Sequence, residues 1–255
     1  KPFQVNGDGI PVLLYYHSAT LRGICVLMKR DILGTGYYDL ITPYGYGGFI
    51  FDGDYSGMES FFREYHELLL NNNVVSVFYR FHPQLQNAIY VRDFINVTDL
   101  GKTIEVGLNS ESVIWDNLTS KNRNVIRKAV RSGIIVKHGK DRSLLRDFKL
   151  IYNSTMKRDH AEEYYYFPEE FYDELHKHFD DNYEIFYAIL GDKIISVAIM
   201  LRANERLHYH LSGSMFEYRS LAPSNLLLYE AAIWGNRVGC KTFHLGGGVG
   251  SIADN

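Results

Sequence analysis

Apolar and polar residues alternate along residues 12–18 and 22–31, the period of two that marks a half-buried strand, and the short text SATLR between them reads as a hairpin turn. A third short strand is predicted at 39–42, running into Pro43 and the loop text YGYGG. The period then changes. Phe61, Phe62, Tyr65, Leu68 and Leu69 recur at helical spacing within 58–70, Asn71, Asn72 and Asn73 close that helix, and VVSVFYRF follows as a strand.

Near Gly101 the order begins again. Residues 110–131 read as a helix bent near Thr119 and Ser120, Gly133 stops it, and IIVKH is a strand. Helices are predicted over 142–157 and 168–179, with Pro168 suited to a first turn. Strands at 183–190, 193–202 and 206–214, joined by the tight turns GD and ANE, form an antiparallel meander. A helix over 223–238 and a strand over 241–245 lead into the glycine text FHLGGGVG. Each half thus runs through a strand meander, a turn-rich loop, an amphipathic helix, an asparagine or glycine break and a short strand. This repeated order predicts an α/β (α+β) chain of two related modules, 1–100 and 101–255.

Composition narrows the class. The 255 residues are 46% hydrophobic and 22% charged, enough apolar material for a core, with no uninterrupted apolar run near the ~20 residues of a membrane span. No secretory signal is legible, so a cytoplasmic protein is expected. A net charge of −3 argues against a polyanion-binding surface over the whole molecule and against DNA as a partner, so an anionic ligand needs a local basic patch. Cys25 and Cys240 lie in apolar text without CxxC spacing and are expected to be buried reduced thiols.

Four stretches carry candidate chemistry. Gly246, Gly247 and Gly248 leave the end of a strand without a Cβ, which opens the backbone to a ligand; an unusual turn would explain the same text. Neither a P-loop nor a dinucleotide fingerprint is present. The helix start SLAPSNLLLY places Ser220, Ser224 and Asn225 beside orphan backbone donors, where they serve as caps or help hold an anion. In SKNRNVIRKAVRSG, Arg123, Arg127 and Arg131 fall on one helical stripe flanked by Lys121 and Lys128, either a solvated face or a phosphate site. Finally, Asp39, Tyr44 and Tyr46 surround a loop of Gly45, Gly47 and Gly48, either a decorated turn or one wall of a substrate groove. His208 and His210, two apart on a strand, share a face with no third ligand in sight, so no metal is expected.

In order, YDLITPYGYGG, FYRFHP, IWDNLTSKNRNVIRKAVRSGI, HYHLSGSMFEYRSLAPSNLLLYEAAIWG and FHLGGGVGSIADN resemble the FemAB-type branch of the GNAT acyltransferase superfamily. The resemblance runs from about Tyr38 to the end of the chain and implies two GNAT-like modules, each a mixed, mainly antiparallel sheet flanked by helices. It implies an acceptor-side module at 1–100, incomplete at its start, and a donor-side module at 101–255, incomplete at its end. Members of this branch include transferases that add amino acids from charged tRNA to peptidoglycan precursors, and acyltransferases of surface-polysaccharide pathways.

In a GNAT module two neighbouring strands splay apart and the acyl donor lies in the gap. By this resemblance Gly246, Gly247 and Gly248 border the gap, and Ser224 and Asn225 lie at the donor-side helix end. Arg123, Arg127 and Lys128 would hold acceptor phosphate, and Tyr44, Gly45, Gly47 and Gly48 the acceptor groove. Two features differ from relatives: YRSLAPSN stands where acetyl-CoA enzymes carry Gln/Arg-x-x-Gly-x-Gly/Ala, and the coiled-coil arm of some FemAB-type proteins is absent.

The implied reaction moves an aminoacyl or acyl group to an amine of a peptidoglycan or surface-polysaccharide precursor, UDP-linked or lipid-linked. Aminoacyl-tRNA or acyl-CoA is the co-substrate, with no permanently bound cofactor, and the protein would act in the cytoplasm, peripheral to the inner membrane face. Asp39, Tyr46 and His210 are the candidate proton-transfer groups, and a reaction without a protein base is compatible with the same sequence. A CoA-dependent N-acetyltransferase of an amino sugar or small amine, and an inactive GNAT-like binding module, are the two other readings.

Overall fold

The computed structural model describes Gly7 and residues 9–247, and the chain divides into two compact units, Lys1–Leu100 and Gly101–Asn255. The expected α/β class holds, with two separate mixed sheets and helices packed on them.

The first unit carries β1 (Ile10–His17), β2 (Leu21–Asp31), β3 (Tyr38–Ile41), β4 (Ile50–Gly53), helix α1 (Met58–Asn71) and β5 (Val74–Phe78). Strand β2 organises the sheet. One of its edges pairs antiparallel with β1, while the other takes β4 along Leu21–Ile24 and β3 along Met28–Asp31. β3 then pairs in parallel with β5. The alternation legible in β2 is the burial pattern found: Leu21, Gly23, Cys25 and Leu27 point inward, Arg22, Ile24 and Val26 outward. α1 lays Met58, Phe61, Phe62 and Tyr65 on the inward face, where Phe61 meets Phe49 and Phe51 edge-on at centroid distances of 5.1 and 5.0 Å. Such aromatic pairs each add about 0.5–1.5 kcal/mol beyond burial.

The second unit contains β6 (Ile104–Gly107), α2 (Glu111–Asp116), α3 (Ser120–Arg131), β7 (Ile135–Gly139), α4 (Arg142–Arg158), α5 (Glu169–His178), β8 (Tyr183–Leu190), β9 (Lys193–Ala203), β10 (Arg206–Ser214), α6 (Pro223–Arg237) and β11 (Thr242–Gly246). The single bent helix expected over 110–131 is two helices, because Thr119 turns to extended backbone and its hydroxyl accepts the N–H of Asn122, starting α3 anew. Strands β4 and β6 have no counterpart in the sequence pattern, being four residues each without a full alternation.

The six strands lie in the order β6-β11-β10-β9-β8-β7, antiparallel throughout except for the parallel pair β10/β11. Central strand β9 is buried on both faces from Ile195 to Met200, as a covered strand requires. Ala198 and Met200, with Phe186, Leu207 and Phe243, pack under α3 and α6. The opposite face carries α4 and α5. There Tyr183 shares a 2.7 Å hydrogen bond with His176 of α5, and Gly213 of β10 lies under α4 so closely that a Cβ would stand 2.8 Å from the Tyr152 backbone. Cys25 and Cys240 are both free and buried, and burial pushes the Cys25 thiol up to about 12. No helix among the described residues is long and apolar enough to cross a membrane.

Candidate active site

The ladder between β10 and β11 has three rungs, Arg206↔Thr242, Leu207↔Phe243 and His208↔His244, and then stops. Beyond it each strand follows another neighbour. β10 continues along β9 to Ser214, with a bulge that makes His210 the extra residue between Tyr209 and Leu211; β11 continues along β6 to the rung Gly246↔Ile104. Two strands that begin side by side and keep different partners part into a wedge. Its floor is the His208/His244 rung, and its walls are the ends of β10 and β11.

Gly246 sits on one wall at φ +81°, a left-handed conformation L residues rarely adopt, and a Cβ there would meet no atom within 4 Å. The bare strand end therefore has a backbone reason and open space beside it. Gly247 is more confined, since its Cβ would stand 3.3 Å from the Lys102 carbonyl. Gly248 lies outside the described residues. The other wall is anchored by α4: Ser214 donates its N–H to Thr155 Oγ1 at 2.9 Å, and its carbonyl accepts from Arg158 Nη1 at 3.0 Å.

The helix start at Pro223 differs from ordinary capping. Ala222 is the N-cap in the left-handed region, φ 56° and ψ 47°, and makes no side-chain cap hydrogen bond. Ser224 turns to the sheet: Ser196 Oγ donates to the Gly213 carbonyl at 3.3 Å, so the 3.1 Å contact between the hydroxyls has Ser224 as donor. Asn225 is exposed in the same first turn. The loop ahead of the helix is tied by Lys128, whose Nζ donates to the Ser220 carbonyl at 2.8 Å. Structure thus brings Lys128 and Ser224 to the two ends of one short segment.

The expected arginine stripe divides by partner. Arg123 Nη1 donates to the carbonyls of Asp116 and Leu118, at 3.1 and 2.6 Å, and so closes the end of α2. Arg127 is exposed, with its guanidinium 5.1 Å from the Trp115 ring centroid and a long 3.4 Å bond to Asn124. Arg127 and Arg131 rim a shallow pocket of about 290 Å³ between α2, α3 and α6, with Trp115, Ile126 and Tyr229 as its apolar lining. Burial raises the Glu230 carboxyl at that rim, an effect Arg237 opposes.

In the first unit the loop of Tyr44, Gly45, Gly47 and Gly48 has a packing explanation at one position. A Cβ on Gly48, at φ +92°, would stand 2.6 Å from the Phe81 ring. Gly45, at φ +107°, has open space around its Cβ direction. Buried Asn87, which sequence reasoning passed over, stitches this loop: its Nδ2 donates to the Gly47 and Phe49 carbonyls at 2.9 and 3.0 Å, and its Oδ1 accepts the His82 N–H at 2.9 Å. Tyr46 lies 5.8 Å from the His82 ring, and Tyr44 opens the same loop. Both oxygens of Asp39 accept from the Arg30 guanidinium, at 2.7 and 2.8 Å, so the carboxylate is held in a bidentate pair.

His210 is partly accessible, and burial pulls its imidazole down to about 4, so the ring is neutral near pH 7. The bulge interrupts the two-residue alternation expected to align it with His208, yet the two rings stay 6.0 Å apart. His244 was not singled out in the sequence. It is fully buried, pairs Nδ1 to Nδ1 with His208 at 2.9 Å, and its imidazole is also pulled down by burial, against the raising effect of Glu105.

A parallel pair opening into a wedge, with a helix starting beside it, is the layout that the sequence resemblance implies for a GNAT module. Residues 119–250 match the family described as acetyltransferase (GNAT) domain, and the chain belongs to that family. The whole fold is similar to that of FemX, with a TM-score of 0.71 at 14% identity, covering 96% of this chain and 81% of that one. It is also similar to L-PGS from Bacillus licheniformis, with a TM-score of 0.63 at 14% identity over 96% of this chain and 70% of the other. No curated protein gives a significant match. The resemblance to the FemAB-type branch is therefore met by the family match and, across both units, by the fold.

Proposed function

We propose that this GNAT-family protein is an aminoacyl or acyl transferase that moves an activated group onto an amine of a cell-envelope precursor. The observation that carries the reading is the wedge between β10 and β11, bordered by Gly246 and lying in the same module as a helix start that no side chain caps. Such a gap exposes backbone donors to an acyl carbonyl, and preorganised N–H groups stabilise the oxyanion that forms when an amine attacks it. The uncapped turn of α6 adds a positive dipole end where a donor phosphate would lie.

The fold likeness to FemX and to L-PGS, named for lysylphosphatidylglycerol synthesis, supports an aminoacyl group and an envelope acceptor. In this reading charged tRNA is the donor, Ser224, Asn225, Gly246, Gly247 and Gly248 form the donor side, and Arg127 supplies acceptor-phosphate contact. Arg123 and Lys128 hold the scaffold around it, and the Tyr44, Gly45, Gly47 and Gly48 loop belongs to the acceptor-side module. Acyl-CoA is the second donor reading. It is favoured by the acetyltransferase family match and by Ala222, which adopts the left-handed backbone that a glycine-rich phosphate loop uses.

The test is a thermal-shift series with acetyl-CoA, free CoA and a UDP-linked muramyl pentapeptide, followed by transfer assays with acetyl-CoA and with charged tRNA. Stabilisation by the precursor and transfer from tRNA are expected. Stabilisation by CoA with transfer from acetyl-CoA replaces the tRNA reading, and absence of turnover with every donor leaves an inactive binding module.

A further inference from the structure

The last rung before β10 and β11 part consists of two histidines. His208 and His244, 36 positions apart in the chain, approach with their Nδ1 atoms 2.9 Å apart, ring centroids 5.0 Å apart and planes inclined by 17°. The rings are therefore close to coplanar, and the contact lies along an N–H to lone-pair axis. A hydrogen bond between two Nδ1 atoms requires opposite tautomers: one ring carries its proton on Nδ1 and donates, while the other carries it on Nε2 and accepts. Two imidazolium rings would place two protons in that contact, so the bonded pair holds at most one extra proton.

We propose that His208 and His244 form a two-imidazole proton relay at the floor of the wedge, which takes the proton of the acceptor amine and passes it to the leaving group of the donor. The relay rests on the acyltransferase reading above. His208 is the partly accessible member on β10, and His244 is the fully buried member on β11, opposite the exposed Glu105 across the β11/β6 ladder. Burial lowers the His244 imidazole and Glu105 opposes that shift. Ionisable groups on the same strand are His210, Tyr209 and Arg206, and β9 places Leu201 opposite His208. From α4, Arg158 reaches the strand end at Ser214 and Tyr152 lies over Gly213.

The step balances without a further reagent. The amine nitrogen attacks the donor carbonyl carbon and a C–N bond forms. The nitrogen gives a proton to His208 Nε2, and the pair then holds one extra proton, its positive charge shared across the Nδ1–Nδ1 contact with His244. As the C–O or C–S bond to the donor breaks, His208 Nε2–H protonates the leaving oxygen or sulfur, and the pair is neutral again. Both rings return to their first tautomers, and the amine proton has moved in net terms to the leaving group. A neutral pair is needed for the first step, and burial favours a neutral His244 by keeping it, like neighbouring His210, below the ordinary histidine range.

The experiment compares wild type with His208→Asn, His244→Asn and the double variant, using the donor that wild type transfers and reading the initial rate between about pH 5.5 and 9. Donor-induced thermal shift serves as the folding and binding control. Each single variant is expected to lose at least ~10²-fold in rate, to keep the donor-induced shift and to lose the acidic limb of the pH profile. The double variant is expected to be no slower than the slower single one, because the rings act as a unit. In parallel, ¹⁵N imidazole NMR of wild type is expected to show one Nδ1–H and one Nε2–H tautomer coupled through a shared proton.

Wild-type rates in a folded His208→Asn or His244→Asn protein overturn the relay. So do losses that simply multiply in the double variant, or NMR showing the same tautomer in both rings; the NMR decides even where a variant fails to fold. A wild type that transfers from neither donor removes the acyltransferase reading and the relay with it, whereas a wild type that transfers alongside unaffected variants removes the relay alone.

Discussion

Ser224, in the first turn of α6, donates its hydroxyl proton to buried Ser196 on β9, and Ser196 in turn donates to the Gly213 carbonyl on β10. This chain of two hydroxyls fixes the helix start against the strand that forms one wall of the wedge. Removing the middle member leaves Ser224 and Gly213 without their partner. Ser196→Ala is expected to cost about 1 kcal/mol, with Ser224→Ala adding little in the double variant because both report one chain. Urea unfolding of the two single variants and the double variant checks it, and fully additive losses would contradict the shared chain.

Ala222 and Gly246 make opposite predictions from the same backbone region. Ala222 holds φ 56° immediately before Pro223, a conformation that costs an L residue about 1–2 kcal/mol and that glycine adopts freely. Ala222→Gly is therefore expected to raise stability, offset in part by the greater chain freedom of glycine in the unfolded state. Gly246→Ala has open space for its methyl group but takes on the penalty of φ +81°, so it is expected to lower the melting temperature and to reduce the donor-induced shift by placing a Cβ at the wedge. A melting temperature below wild type for Ala222→Gly would remove the strain argument.

The charges on α3 separate by what they touch. Arg123 is committed to two carbonyls at the end of α2, so Arg123→Ala is expected to destabilise by about 1–2 kcal/mol whether or not ligand is present. Arg127 has an aromatic ring and one long bond, and Arg127→Ala is expected to change stability by about 0.5–1 kcal/mol at most. Its larger effect is on affinity for a UDP-linked muramyl pentapeptide, with at least a ~5-fold loss as one charged phosphate contact is removed. Calorimetric titration of both variants distinguishes them; unchanged precursor affinity in Arg127→Ala would take that residue out of the acceptor site.

What the sequence made legible follows from the range of each cause. The meander from Tyr183 to Ser214 and the helix from Pro223 are written in local periodicity and in proline placement, and the structure has them within a residue or two. The break at Thr119 was visible only as a bend, because one side-chain cap decides between one helix and two. Gly48, read as part of a decorated turn or of a substrate groove, also has a packing reason no local text records, since its tightest neighbour is Phe81, far along the chain. The wedge, the bulge at His210 and the meeting of His208 with His244 depend on which strands pair, and no local pattern records that His244 lies beside β10. Expectations drawn from residue type singled out Ser224 and Gly246 and passed over His244 and Asn87, whose contacts are made only in the folded chain.

The imidazole of His210 couples stability to pH in a definite direction. Its folded value, about 4, lies below the ordinary 6.5 of the unfolded chain, so the unfolded state binds more protons as pH falls through that interval. Stability from this group is complete above about pH 6.5 and declines as pH drops towards 4, with a total on the order of 2–3 kcal/mol. His244, also held low by burial, acts in the same direction. The carboxylates of Asp54, Glu111 and Asp159, held low by hydrogen bonds to Ser56, Arg237 and Arg158, titrate below their ordinary range and lie largely outside this window. Urea unfolding at steps between pH 4.5 and 7.5 is therefore expected to give stability that rises with pH in wild type and rises less steeply in His210→Gln. Identical slopes in the two proteins would show that His210 titrates in the folded chain as it does in the unfolded one.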